Sequence, residues 1–245
     1  MRLAQSTNRV NRLGTDMVTI VVGPEGNEEE FLIYADLAKR HSKGIETNVQ
    51  LTTGPEKSRL RATEHSAEHF RTFISFIYTG RIHSTTKSTE SSEWRLLSDL
   101  WVMGAALEST TFKGAVVDAM VERRTMLNEF HGGAYVVMAE HLQTKEQTRT
   151  GVGKLLVDTA VSARQHEIYT DKLSVAPGCL HFYGEVIKGL DRIRRHVESE
   201  QEVSLRAKKG LNCVYHEHST SEICHRKMFP ATRGSVRHSQ GAMPQ

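Results

Sequence analysis

The residues with the clearest capacity for chemistry lie near the C-terminus, where two cysteines and two histidines fall close together: Cys213, His216, His218 and Cys224. Thiolates and imidazoles are the ligands that Zn²⁺ prefers, and four of them complete a tetrahedral site. The spacing matches no standard zinc finger, however, and chance clustering is the simpler explanation in a chain with 13 histidines. The sequence therefore predicts no metal and no cofactor, and leaves these four residues as the candidates if a metal site exists.

Familiar catalytic motifs are missing from the sequence. It contains no G-x-S-x-G elbow, no H-E-x-x-H pair, no complete phosphate-binding loop and no Rossmann glycine fingerprint. Gly151-Val152-Gly153-Lys154 is a fragment of a phosphate-binding pattern, which we interpret as an ordinary helix start. His131-Gly132-Gly133 has no nucleophile, acid and base that can be placed beside it, and we interpret it as a turn. We predict a protein without enzymatic activity, and no catalytic or cofactor-binding residues.

Length and composition narrow the class of protein further. A chain of 245 residues can bury a core without disulfides, and its three cysteines are odd in number and confined to the C-terminal third, which favours a reducing compartment. The first fifteen residues lack the apolar stretch of a signal peptide, and no segment approaches the roughly 18 apolar residues of a membrane span. We expect an intracellular protein, cytoplasmic or nuclear, with no membrane partner.

The net charge of +3 is unevenly distributed. Residues 192–245 hold ten Lys/Arg against five Asp/Glu, whereas the rest holds 22 against 24. Beyond about residue 200 the apolar periodicity fades, and a solvated, disordered tail explains the basic excess without any partner. Nucleic acid is therefore an unlikely partner, and we expect the tail, residues 201–245, to be largely disordered.

Two strands and a short helix are predicted to begin the fold. Met17 to Val22 and Glu29 to Tyr34 are β-branched and aromatic runs separated by a Gly-Pro-rich turn, which is typical of a β-hairpin. Residues 35–41 have helical composition, residues 52–56 favour a loop, and residues 57–62 favour a third strand.

Three longer helices are predicted to cover this sheet. Ser66 stands where an N-cap precedes an apolar stripe that includes Phe73 and Ile74, and Gly80 marks the helix end. Ser92 is a possible cap for the next helix, and residues 93–125 then predict an antiparallel αα-hairpin. We expect Val18, Leu32, Ile74 and Leu100 to share one core. Further helices are predicted over about 130–142, 149–168 and 179–199.

The ordered segments FLIYADLAKRHS, HFRTFISFIYTGRI and LLSDLWVMGAALESTTFKGAVVDAM, together with Tyr78-Thr79-Gly80 and Leu100-Trp101-Val102, resemble a BTB/POZ domain of the short type abundant in filamentous fungi. The resemblance covers residues 15–125. It implies an α+β fold in which a small β-sheet is covered by α-helices, here followed by a helical C-terminal extension. We divide the chain into a flexible N-terminus (1–14), the BTB/POZ-like domain (15–125), the helical extension (126–200) and the tail (201–245).

The sequence departs from the family pattern after the first helix. Tyr34-Ala35 replaces the usual His-Lys, and Lys43-Gly44-Ile45-Glu46 replaces an aromatic-rich segment, which places the second helix of the fold in doubt. The apolar-x-Glu element that the family uses to bind cullin-type ubiquitin-ligase scaffolds has no convincing copy here, so such a scaffold is weakly supported as a partner. A homodimer is possible, but residues 1–15 offer few apolar anchors for strand exchange.

The resemblance implies a non-enzymatic protein-protein interaction module, a scaffold or adaptor that recruits an unidentified partner protein. The alternative, drawn from another class, is a zinc-assisted nucleic-acid-binding regulator that uses the basic, His/Cys-rich tail. A third possibility is a divergent gene product with reduced partner binding.

Overall fold

A β-hairpin begins the part of the chain that the structure describes, and helices and one further strand follow it. The computed structural model describes residues 14–51, 59–83, 90–127, 148–163, 180–195, 199, 201–203, 213–218 and 224–228. The expected α+β class is confirmed, and helix clearly outweighs strand. The elements, in chain order, are β1 (Met17–Val22), β2 (Glu29–Tyr34), α1 (Ala35–His41), α2 (Lys43–Leu51), β3 (Arg59–Ala62), α3 (Ala67–Thr79), α4 (Glu90–Ala106), α5 (Thr110–Leu127), α6 (Gly151–Ala163), α7 (Leu180–Arg194) and α8 (His225–Met228).

The three strands form one sheet in the order β2-β1-β3. β1 pairs antiparallel with β2, with Thr19 opposite Leu32, and parallel with β3, with Ile20 opposite Leu60. Gly23 makes the hairpin turn possible, because its φ of 109° is one that side-chain-bearing residues rarely adopt. The predicted hairpin and third strand are therefore present, and β3 covers Arg59–Ala62 of the predicted residues 57–62.

Aromatic side chains join the sheet to the helices that cover it. Phe31 of β2 lies 5.2 Å from Phe70 of α3, measured between ring centroids, and Phe73 of α3 meets Phe112 of α5 edge to face at the same distance. Edge-to-face contacts stabilise a core beyond the area they bury. Trp101 of α4 is also buried. The predicted core helices α3, α4 and α5 therefore share one hydrophobic core with the sheet.

The helical extension shares this core. The buried side chains of α6, together with Phe182, Val203 and Tyr215, belong to the same continuous hydrophobic cluster as Val18 and Leu100. Ile74 is partly buried against it. Leu32 was predicted to join this cluster, and that prediction is wrong: it is 64% exposed because Phe31 and Ile33, its neighbours on β2, point to the covered face and strand alternation turns Leu32 away.

Helix boundaries follow local signals in some places and not in others. The predicted end of α3 at Gly80 is confirmed, since Gly80 adopts φ 71° and donates its N–H to Phe76 O. Ser92 does not cap α4, because the helix already begins at Glu90.

The second helix, placed in doubt by the sequence, is present as α2. Ser42 caps it: its Oγ accepts the N–H of Ile45 at 3.0 Å and donates to Leu107 O at 2.6 Å.

Several predictions fall on residues outside the described ranges: the flexible N-terminus over 1–13, the loop at 52–56, the helix at 130–142, the turn at His131-Gly132-Gly133 and the C-terminal end of the tail. Within the described ranges, no helix combines the length and the apolar character that a bilayer crossing requires.

His41, at the end of α1, couples stability to pH. Its ring is buried, lies edge to face with Phe76, and has Nδ1 3.3 Å from Thr111 Oγ1. Burial, helped by the charge of Arg40, lowers the pKa of His41 to about 4. The unfolded chain takes up a proton near pH 6.5, whereas the folded chain does not until about pH 4. The contribution of His41 to the free energy of unfolding is therefore fully present above pH 6.5 and is lost as the pH falls towards 4.

We expect protonation of His41 in the unfolded chain to lower the free energy of unfolding, measured in urea, by about 2 to 3 kcal/mol between pH 7 and pH 4. His41→Gln should flatten that part of the pH dependence. His83→Gln, at an exposed histidine, is the matched control and should leave the slope unchanged. An equal slope in the wild type and His41→Gln would contradict the prediction.

Candidate metal centre

The segment 213–218 is docked on the helical body through Tyr215. The ring of Tyr215 is only 2% exposed, and its hydroxyl donates to Asp158 Oδ2 of α6 at 2.7 Å. Gly151, the first residue of α6, permits this approach, because a Cβ there would lie 1.7 Å from Tyr215 O. The tail was predicted to be largely disordered, and for these residues the structure differs. The buried ring of Tyr215 holds this segment in place, and a single aromatic residue in a polar stretch produces no apolar periodicity in the sequence.

Glu217 fastens the same segment at a second point. Its carboxylate pairs with Lys113 Nζ of α5, and both side chains are less than one-fifth exposed. The other carboxylate oxygen accepts the N–H of Gly151 at 3.2 Å, where the positive end of the α6 dipole favours a negative charge. Because the ion pair is largely withdrawn from water, removal of either partner would leave a buried charge.

The four candidate ligands come together beside this anchor. One donor atom from each of Cys213, His216, His218 and Cys224 lies within 4.8 Å of the others. Cys213 Sγ is 3.7 Å from Cys224 Sγ, and His216 Nδ1 is 3.3 Å from Cys224 Sγ. Residues separated by up to eleven positions in the sequence therefore point their donor atoms at a common volume.

Local backbone structure places each half of the cluster. Cys213 adopts φ 59° in the left-handed region, and its carbonyl accepts the N–H of His216 at 3.0 Å, so the chain turns and brings the two side chains together. The carbonyl of Cys224 accepts the N–H of Lys227 at 2.8 Å, at the start of α8. A turn and a short helix thus present the ligands.

Asp118 of α5 orients His216 from behind. Its Oδ1 lies 2.9 Å from His216 Nε2, and the side chain of His216 is almost completely buried. A proton on Nε2 donates to this carboxylate and leaves the Nδ1 lone pair directed at Cys224. Arg226 also pairs with Asp118. A carboxylate that holds the far nitrogen of a histidine is a recurring feature of zinc sites.

The two sulfur atoms are too far apart for a disulfide, whose S–S bond is about 2.05 Å. Neither cysteine forms a disulfide in the structure. Burial raises the pKa of the Cys224 thiol, and the neighbouring Cys213 acts in the same direction. A divalent cation at this position would reverse that effect, because metal binding favours the thiolate.

The remaining sequence candidate, the fragment at 151–154, is an ordinary helix start. Three of its four backbone N–H groups have partners within the protein: Gly151 donates to Glu217, Gly153 donates to Thr150 Oγ1 at 3.2 Å, and Lys154 donates to Thr150 O at 3.0 Å. Sequence reasoning missed Asp118, Tyr215 and Glu217. Asp118 lies 98 positions from His216, and no local pattern could have connected them.

A cleft adjoins α8. It has a volume of about 280 Å³, lies between the end of α1, the start of α2 and the start of α5, and reaches Met228. Lys39, Arg40 and Lys43 give its wall a positive character, and Glu108 offsets part of it. The cleft lacks the convergent donor atoms of the Cys/His cluster.

Neither a scan against protein-family models nor a search of curated proteins returned a match to this chain.

Proposed function

We propose that this protein is a non-enzymatic protein-interaction module that recruits a partner through its N-terminal, BTB/POZ-like sheet and helix unit. The observation that carries the proposal is the exposure of Leu32 on β2, an edge strand of the sheet within the described residues. The BTB/POZ-like sequence segments support it. They correspond to β2 with α1, to α3, and to the α4–α5 hairpin, and these pack in one core.

An edge strand offers main-chain donors and acceptors to a second chain, and pockets or apolar side chains beside it give selectivity. No described strand pairs with the outer edge of β2. Leu32 lies in the middle of that strand, opposite Thr19 on the face turned away from the main core. The partner that fits is an extended segment of another protein that adds to β2 and covers Leu32.

Leu32→Asp is the variant that tests this function. The full chain is used as affinity bait, and proteins that bind it are quantified by mass spectrometry. We expect at least one protein that binds the wild type to fall about ten-fold with Leu32→Asp, because a charge cannot be buried unpaired in the contact. The melting temperature should stay within a few degrees, since the side chain is already exposed.

Ile187→Asp is the matched control. Ile187 of α7 is 65% exposed, so the same aliphatic-to-acidic change is made at equal exposure on another element. Retention of the partner by Ile187→Asp and loss by Leu32→Asp would support the proposal. Equal recovery of every partner by the wild type and both variants would refute it.

The alternative is a zinc-assisted nucleic-acid-binding regulator. Its zinc-binding part has structural support, whereas its nucleic-acid-binding part has none among the described residues. The Cys/His cluster favours the metal. Two basic side chains beside the cluster are already paired, Arg226 with Asp118 and Lys113 with Glu217. Phosphate contacts make binding weaken steeply as salt increases. Fluorescence anisotropy with duplex DNA at low salt therefore separates the two functions, and salt-sensitive binding would favour the regulator.

A further inference from the structure

We propose that Cys213, His216, His218 and Cys224 bind one Zn²⁺ in a closed structural site that fastens the C-terminal segment to α5. The site does not depend on which partner the N-terminal unit recruits. Two thiolates and two imidazoles suit zinc better than the oxygen-seeking magnesium or calcium ions. Four protein ligands also fill a tetrahedral shell and leave no position for a reacting water, which is the arrangement of a structural site.

The distances match a tetrahedral ion. With Zn–S bonds of about 2.3 Å, two thiolates on one zinc lie about 3.8 Å apart, and a thiolate and an imidazole nitrogen lie about 3.6 Å apart. The corresponding distances here are 3.7 Å for the two sulfurs and 3.3 Å for His216 Nδ1 and Cys224 Sγ. The donor atoms of Cys213, His216 and Cys224 therefore already lie near the positions that zinc requires, and that of His218 lies within 4.8 Å of each of them.

Charge balance favours the same ion. Two thiolates and one Zn²⁺ sum to zero, so the occupied site can stay buried without a large desolvation cost. Asp118 and Arg226, which pair beside it, also cancel. Since Asp118 holds His216 Nε2, one carboxylate of α5 links the ligand set to the helical body. Zinc would thus join the two chain segments 213–218 and 224–228 to each other, and Asp118 would join both to α5.

Metal content of the purified full chain is the first measurement. The protein is produced without a histidine tag, with zinc in the medium, and is analysed by inductively coupled plasma and native mass spectrometry. We expect about one zinc per chain. Cys213→Ser with Cys224→Ser should abolish it. The control is Cys179→Ser with His181→Ala, which removes one cysteine and one histidine outside the cluster and should retain the zinc.

Asp118→Asn tests the orienting carboxylate. It keeps all four ligands but weakens the hold on His216, and we expect zinc affinity, measured by competition with a chromophoric chelator, to fall about 10- to 100-fold. Substitution with Co²⁺ gives a second readout, because a tetrahedral site with two thiolates shows intense visible absorption. Unchanged affinity in Asp118→Asn, together with a cobalt spectrum lacking thiolate bands, would overturn this ligand geometry.

A measurement on the wild type keeps the proposal testable even where the cysteine variants do not fold. Alkylation followed by peptide mapping should find Cys213 and Cys224 protected in the zinc-bound protein and modified after treatment with a chelator. Zinc-free wild-type protein with both thiols reduced, or a Cys213–Cys224 disulfide in protein isolated under reducing conditions, would overturn the proposal. Loss of zinc in the Cys179/His181 control but not in the Cys213/Cys224 variant would do the same.

Discussion

Phe73→Ala should lower the free energy of unfolding by about 3 to 5 kcal/mol. Phe73 is fully buried on α3, 5.6 Å from Phe70 and 5.2 Å from Phe112 between ring centroids. Truncation removes the apolar area and leaves a cavity beside Phe70 and Phe112, whose rings can fill it only in part. Trp101→Ala, at a buried residue of α4, should cost a similar amount. Urea unfolding followed by circular dichroism measures both.

Tyr78→Ala on the same helix is the control for Phe73→Ala. Tyr78 is 47% exposed, so its truncation should change the free energy of unfolding by about 1 kcal/mol or less. If Phe73→Ala and Trp101→Ala both unfold like the wild type, the side chains do not occupy the core in these registers.

Local signals were sufficient for α3. An N-cap position at Ser66, an apolar stripe and a glycine in the left-handed region lie within fifteen positions, although the side chain of Ser66 makes no capping hydrogen bond. Leu32 shows the limit of such reasoning. Its strand is uniformly apolar from Phe31 to Ile33, so composition alone does not say which face is covered. The covered face is the one on which Phe31 meets Phe70 of α3.

Local sequence was not sufficient to predict α2 or the C-terminal segment, because each is held by residues that are distant in the chain. α2 lacks the aromatic residues that the resemblance implied, but Ser42 caps it while bonding to Leu107, 65 positions away. Tyr215 meets Asp158, 57 positions away. An isolated aromatic residue in a polar stretch gives no periodicity, so the sequence showed the four candidate ligands but not the anchor that brings them together.

Gly151→Ala should destabilise the protein even though alanine is the better helix former. The added Cβ would lie 1.7 Å from Tyr215 O and 2.5 Å from Tyr215 C, and both are backbone atoms that cannot rotate away. The segment 213–218 must therefore move outward, which loosens the buried ring of Tyr215 and its bond to Asp158. Overpacking of this kind and the lost burial together cost about 3 kcal/mol.

Gly184→Ala on α7 is the matched control for this change, because no heavy atom lies within 4 Å of its added Cβ. There the helix propensity of alanine acts alone and should stabilise by up to about 1 kcal/mol. Urea unfolding should thus give opposite signs for the same substitution in two helices. A Gly151→Ala protein at least as stable as the wild type would mean that Tyr215 does not hold the C-terminal segment against α6, and the Cys/His cluster would lose the anchor that positions it.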